Sequence, residues 1–158
     1  MFETTEMVKE IQEMRDDGFL SDALLRYAVR SIMEGDDRFD WVGAFLLDGE
    51  ANEVWLHNYV GPRTEHAKVA VGEGVTGTAV AEQANQIVAD VTQVEKYIED
   101  NPGVASEMVV LIRAGDEIYG LLDIDSMEPD AFTPEDEIAV TSVADKLAEQ
   151  LAAERRPS

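Results

Sequence analysis

Apolar and polar positions alternate with two different periods along this chain. Over residues 4–33 the period is helical: Val8, Ile11 and Met14 recur at spacing three, then Leu24, Leu25, Ala28, Val29 and Ile32 form a second stripe. Asp17-Gly18 breaks the run. The spacing therefore predicts two helices, the second capped by Ser21 or Asp22 and ended by Gly35. Residues 41–47 and 53–60 are β-rich and flank Asp48-Gly49, which predicts an antiparallel hairpin. A third strand is expected over 66–71 and a brief one at Ile87-Val88. Between them a glycine-rich loop, 72–77, leads into a short helix near 78–83. Residues 92–105 are polar and contain Asn101-Pro102-Gly103, a loop or broken helix. A second hairpin spans 107–113 and 117–125 around Ala114-Gly115-Asp116. Thr133 then caps a long last helix, with Pro134 and two acids in its first turn. Ile138, Val140, Val143, Leu147 and Leu151 line it, and Arg155 and Arg156 sit at its negative end.

Two tight hairpins imply an antiparallel sheet rather than a doubly wound one. The expected class is α+β, with helices packed mainly on one face of the sheet. With 158 residues and no repeat or linker, the expectation is a single domain over 1–158, its core within about 20–150.

Composition narrows the function classes. A 45% hydrophobic content supplies a core, and the absence of cysteine excludes disulfides, thiolate metal sites and thiol catalysis. The 34 acids against 12 Lys and Arg give a net charge of −22, which repels nucleic acid and anionic lipid. No long apolar run and no signal-type N-terminus are present, so a cytoplasmic protein is expected. The acids are spread along the chain, and the lysines are only Lys9, Lys68, Lys96 and Lys146. This composition resembles that of proteins from a salt-loving cytoplasm, where counterions screen self-repulsion.

Three features carry candidate chemistry. Gly72-Glu73-Gly74-Val75-Thr76-Gly77 matches G-x-G-x-x-G. The flanking hairpins and the charge of Glu73 argue against a dinucleotide loop and for a tight turn that needs glycine's backbone freedom. Leu121-Leu122-Asp123-Ile124-Asp125 places two acids on one face of an apolar strand. Buried carboxylates require compensation. Glu107, on the partner strand, lies at a depth comparable to Asp123 when counted from the turn. The trio could bond loop backbone, hold Mg²⁺ or Ca²⁺, or receive an organic cation, and the last is favoured. Trp41 and Phe45 share a face of the first strand and could wall such a site, although Trp41 could equally be core and core packing is favoured for Phe45. His57 and His66 lack a partner nucleophile at a recognisable spacing, so surface or structural roles are expected.

The blocks Asp40-Trp-Val-Gly-Ala-Phe-Leu-Leu47, Gly72-Glu-Gly-Val-Thr-Gly-Thr-Ala79, Ser106-Glu-Met-Val-Val110 and Gly120-Leu-Leu-Asp-Ile-Asp-Ser126 resemble the GAF domain. More narrowly, they resemble the free methionine-(R)-sulfoxide reductases. The resemblance covers about residues 20–150. It implies a central antiparallel sheet of about six strands and, often, a homodimer paired through terminal helices. It also implies a pocket for free methionine sulfoxide walled by Trp41, with Glu107, Asp123 and Asp125 holding the ligand's polar ends. Phe45 stands where the family often has tyrosine. The family's cysteines fall at His66, Thr76 and Asp100, none of which can perform a thiol cycle.

The expectation is therefore a non-catalytic GAF-type binding or sensory domain. Its partner is a small amino-acid-like zwitterion held by Trp41, Phe45, Glu107, Asp123 and Asp125. No catalytic residue, metal or cofactor is assigned, and neither nucleic acid nor membrane is a partner. Two alternatives stand beside it: an enzyme of the reductase type, and a structural dimerisation module with a vestigial pocket.

Overall fold

The computed structural model describes residues 1–99 and 101–155; Asp100 and Arg156, named above, lie outside them. The elements in chain order are α1 (Thr5–Asp16), α2 (Ser21–Gly35), β1 (Trp41–Asp48), β2 (Glu53–Val60), β3 (Lys68–Ala70), α3 (Gly74–Glu82), β4 (Gln86–Val88), a single 3₁₀ turn (Val91–Gln93), β5 (Ser106–Ala114), β6 (Glu117–Ser126) and α4 (Pro134–Arg155). The six strands form one antiparallel sheet in the order β3-β2-β1-β6-β5-β4. Both expected hairpins are present, and the first strand of one, β1, pairs at the centre with the last strand of the other, β6.

The alternation along the central strands sorts their side chains onto two faces. Val42, Ala44 and Leu46 of β1, Met108, Val110 and Ile112 of β5, and Leu122 and Ile124 of β6 pack against α1, α2 and α4. Each fully buried Leu or Ile there contributes roughly 1.5–3 kcal/mol of burial free energy. On the opposite face Trp41, Phe45, Val109, Leu111 and Leu121 meet Val75, Ala79 and Val80 of α3. α2 and α4 therefore cover one face, with α1 packed against both, and α3 with Val94, Tyr97 and Ile98 covers the other. No helix among the described residues is long and apolar enough to cross a membrane.

Several local expectations change. Gly74 and Gly77 belong to α3, which starts inside the glycine-rich segment. Gly77 must be small because a Cβ there would lie 2.3 Å from the carbonyl oxygen of Ala70. The third strand is shorter than expected, Lys68–Ala70. Neither Ser21 nor Asp22 caps α2 with its side chain: Leu20 occupies the cap position. The backbone N–H of Ser21 instead donates to the carboxylate of Glu154 near the end of α4. That carboxylate also pairs with Arg15 at 3.2 Å, so one acid ties α1, α2 and α4 together. Ile138 does not line the core face of α4 and is 69% exposed. Thr133 does cap α4: its Oγ1 accepts from the N–H of Asp136 at 3.2 Å, and Asp136 accepts from the N–H of Thr133 at 2.8 Å.

Two register shifts shape the sheet. One lies in the β1–β2 ladder between Ala44 and Phe45. In the other, β6 carries one extra residue: Arg113 pairs with Ile118, but Ile112 pairs with Gly120, leaving Tyr119 over. Gly120 follows directly, and a Cβ there would lie 2.0 Å from the carbonyl oxygen of Phe45.

Candidate ligand-binding site

The bulge at Tyr119 decides which side chains meet. Residues directly opposite in a ladder share a face. Without the extra residue, Glu107 would lie opposite Ile124 and point into the helix layer. With it, Glu107 pairs with Asp125, and Val109 pairs with Asp123. This corrects the depth expected from counting: Glu107 is level with Asp125 and lies diagonal to Asp123. On the other side of β6, Trp41 pairs with Asp125 and Gly43 with Asp123. One row across the sheet therefore reads Glu107, Asp125, Trp41.

The three acids converge. One carboxylate oxygen from each of Glu107, Asp123 and Asp125 lies within 4.8 Å of the others. Glu107 and Asp123 are 5% and 6% exposed, and Asp125 is 9% exposed. Burial, then the negative charges of Asp123 and Asp125, push the Glu107 carboxyl well above its ordinary range.

Gly43 makes room for the aromatic wall. A Cβ there would meet the Trp41 indole at 2.4 Å, so the ring lies across the bare backbone of Gly43. Tyr59 stacks on Trp41 with centroids 5.5 Å apart and planes 20° apart, and the indole N–H donates to the carbonyl of Pro62 at 3.2 Å. Phe45 lies 6.4 Å from Trp41, tilted by 41°.

These groups line a cavity of about 50 Å³, which Thr64, His66, Val69, Gly74, Val75, Thr76, Tyr97 and Ile98 complete. One water takes roughly 10–15 Å³ on that measure, so the space suits a small guest and excludes a nucleotide unless the walls move. Ile98 packs against Gly74, whose φ of +61° and missing Cβ admit it. That contact docks Ile98 onto the start of α3. Burial, followed by the charges of Glu107, Asp125 and Asp123, raises the Tyr97 hydroxyl above its ordinary value.

The structure thus brings all five expected site residues to one cavity. His66, for which a surface or structural role is expected, is also in its wall, as is the buried Thr76. His57 lies elsewhere: it bonds Asp22 of α2 at 2.7 Å and Asn58 at 2.9 Å, joining β2 to α2. Tyr97 and Ile98 were missed. Their signal was two apolar-bodied residues side by side in an otherwise polar stretch.

No Lys or Arg lines the cavity among the described residues. The trio offers only anionic oxygen acceptors, which suit a cation. The donor type would serve a hard metal ion, but such ions take six or more oxygens, and much of the remaining wall is aromatic or aliphatic. An organic cation uses both parts of the site, since its charge meets the acids and its carbon body meets Trp41 and Phe45.

The GAF domain family profile matches residues 20–152. The chain is 33% identical over 113 residues to the free methionine-R-sulfoxide reductase of Escherichia coli, covering 72% of this chain and 67% of that protein. Among solved structures, fRMsr of Staphylococcus aureus in its reduced form superposes with a TM-score of 0.85 at 31% identity, covering 96% of both chains. The free methionine-R-sulfoxide reductase of Neisseria meningitidis, in complex with its substrate, gives a TM-score of 0.86 at 27% identity, covering 95% of this chain and 89% of that one.

Proposed function

The chain belongs to the GAF domain family, with relatives among the free methionine-R-sulfoxide reductases, and from that premise we propose that it is a small-molecule binding domain that does no thiol chemistry. Its ligand carries an ammonium group and is the size of an amino acid. The observation that carries this reading is the convergence of three buried carboxylates within 4.8 Å beside Trp41. An enclosed cluster of like charges costs free energy that a cationic guest offsets. Thr76 and His66 stand in the cavity wall at two positions where the resemblance places thiols. Neither side chain can form the sulfur intermediates of sulfoxide reduction. The third such position, Asp100, lies outside the described residues.

The site offers the rest of a zwitterion one anion-compatible element. The N–H groups of Gly74, Val75 and Thr76 open α3, where backbone donors lack intrahelical partners. Movement of Tyr97 and Ile98, which line the cavity, is the step by which occupancy would be signalled to a partner protein.

Thermal melting with free methionine sulfoxide as the probe tests the reading. A shift that grows with ligand concentration and is weakened in Asp123→Asn and Asp125→Asn supports it. Loss of one charged partner should weaken binding by about 2–5 kcal/mol. No shift with methionine sulfoxide, methionine or another amino acid would favour the dimerisation module with a vestigial pocket. Turnover of methionine sulfoxide with an external thiol would favour the enzyme.

A further inference from the structure

The trio has a charge problem that the ligand alone does not solve. Before a ligand binds, three carboxylates share one cavity wall with no Lys or Arg beside them among the described residues. Buried carboxylates held this close, within 4.8 Å, resist ionising together, and a proton shared between two of them relieves the repulsion.

We propose that Glu107 and Asp123 hold one proton between them, and that a cationic ligand entering the cavity drives that proton out to solvent. The inference rests on the ligand reading given above and adds the exchange. The ligand's ammonium brings one positive charge and one proton leaves the pair, so the charge of the occupied site is conserved. No bond other than the O–H is broken, and buffer accepts the proton.

The surroundings favour the pair as the place where the proton resides. Asp125 on β6 faces Glu107 directly and adds a second negative charge. Tyr97, from the 91–105 segment, faces the same acids and is itself held protonated by burial and by their charge. His66, from the segment before β3, is the remaining titratable group of the wall. β1 contributes Trp41 and Phe45, and α3 contributes Gly74, Val75 and Thr76, none of which titrates near neutrality.

The consequence is a pH-tuned site. While the pair still holds its proton, affinity for a permanently cationic ligand should rise about tenfold for each pH unit, and it should level off once the pair ionises unaided. A domain built this way reads ligand and acidity together.

Two measurements on the full chain separate this proposal from the reading beneath it. Infrared spectra of the ligand-free protein near neutral pH should contain a carboxylic-acid carbonyl band that disappears in Glu107→Gln and shifts in Asp123→Asn. Absence of the band overturns the proposal whatever the ligand result. Calorimetry with free methionine sulfoxide in two buffers of different ionisation enthalpy should give release of about one proton per ligand in the wild type and none in Glu107→Gln. Binding without any buffer dependence overturns the exchange and leaves the ligand reading intact. Failure to bind removes the ligand reading and the exchange with it, while the infrared band still reports whether the proton is there.

Discussion

Glu107 on β5 stands directly opposite Asp125 on β6, both almost wholly buried and on the cavity side of the sheet. Two acids so placed are a cost to the fold. The Glu107 carboxyl titrates well above its ordinary range, chiefly through burial and then through the charges of Asp123 and Asp125. The sign follows from linkage. A carboxyl whose folded value is raised adds stability below its unfolded value, and this stability is lost as pH rises toward the folded value. Wild-type stability should therefore decline above the ordinary glutamate range, and Glu107→Gln should flatten that decline. At neutral pH the variant should melt higher, by about 2–4 °C for each kcal/mol relieved in a domain of this length. Denaturation followed from acid to neutral pH checks it, and a variant less stable than wild type at neutral pH would refute it.

The cavity wall can be disturbed without touching an acid. Gly43 lies under the Trp41 indole, and an added Cβ would sit 2.4 Å from the ring. Gly43→Ala must push the indole off the backbone and off Tyr59. Trp55, the other tryptophan, is 38% exposed and reports little of this. The expected outcome is a red-shifted fluorescence spectrum as Trp41 leaves its packed site, with ligand binding weakened about tenfold or more and melting lowered by a smaller margin. Overpacking of this kind typically costs about 1–3 kcal/mol. Unchanged fluorescence would mean that the ring does not use that space.

Away from the cavity, acid sensitivity should trace to Arg38. Its guanidinium bonds Asp36 at 2.9 Å, Asp136 at 2.7 Å and the carbonyl of Ala131 at 2.7 Å, and it lies 5.3 Å from the centre of the Phe39 ring. Burial alone would raise the Asp136 carboxyl. The bonds from Arg38 and from the Thr133 N–H outweigh it, and the result is a lowered value. Asp36 is lowered too, first of all by its bond with Arg38. Stability from both is present above the ordinary aspartate range and is lost as pH falls through the lowered values. Arg38→Met should cost about 2–4 kcal/mol at neutral pH, a discount on a fully buried pair because the side chain of Arg38 is 26% exposed. The loss should shrink below about pH 3, where the carboxylates protonate in either protein. Urea melts at both pH values measure it, and an equal loss at both would remove the ion pairs as its cause.

The sequence carried the architecture because each hairpin is local. Asp48-Gly49 and Ala114-Gly115-Asp116 lie between β-rich runs, and turn chemistry and alternation point to the same answer. Asp123 and Asp125 were legible for a similar reason, since two acids at spacing two inside an apolar strand must share a face. The register of Glu107 was not legible. It depends on a single extra residue, Tyr119, and nothing in the local spelling of Ile118-Tyr119-Gly120 marks a bulge apart from the glycine. The start of α3 was also hidden, because glycines that suit a loop were needed inside a helix, Gly77 for its close approach to Ala70 and Gly74 for its contact with Ile98. Thr64, Tyr97 and Ile98 come from segments without periodicity and His66 from the edge of the expected third strand, and only the folded chain brings them to the acids.

The net charge of −22 supports one more prediction, about habitat. Several of the cations pair with acids: Arg15 with Glu154, Arg26 with Asp22, Arg38 with Asp36 and Asp136, Lys68 with Glu53, and Lys146 with Glu149. These pairs cannot absorb 34 acids. Even on the exposed face of α1, Glu10 is raised first by its contact with Glu13 and then by desolvation and by the charges of Glu13 and Asp17. Repulsion of this kind is long-range in dilute buffer. The screening length falls from about 30 Å at 0.01 M salt to about 3 Å at 1 M, which is shorter than the spacing of most surface charges. Stability should therefore climb steeply between low and molar KCl and then continue more slowly. Two-state melts across that range should show the compact state weakened at the dilute end. Sodium chloride should substitute for KCl over the steep part, since screening depends on ionic strength and not on the ion. A melting temperature that is flat across the series would leave the acidic surface without a role in salt tolerance.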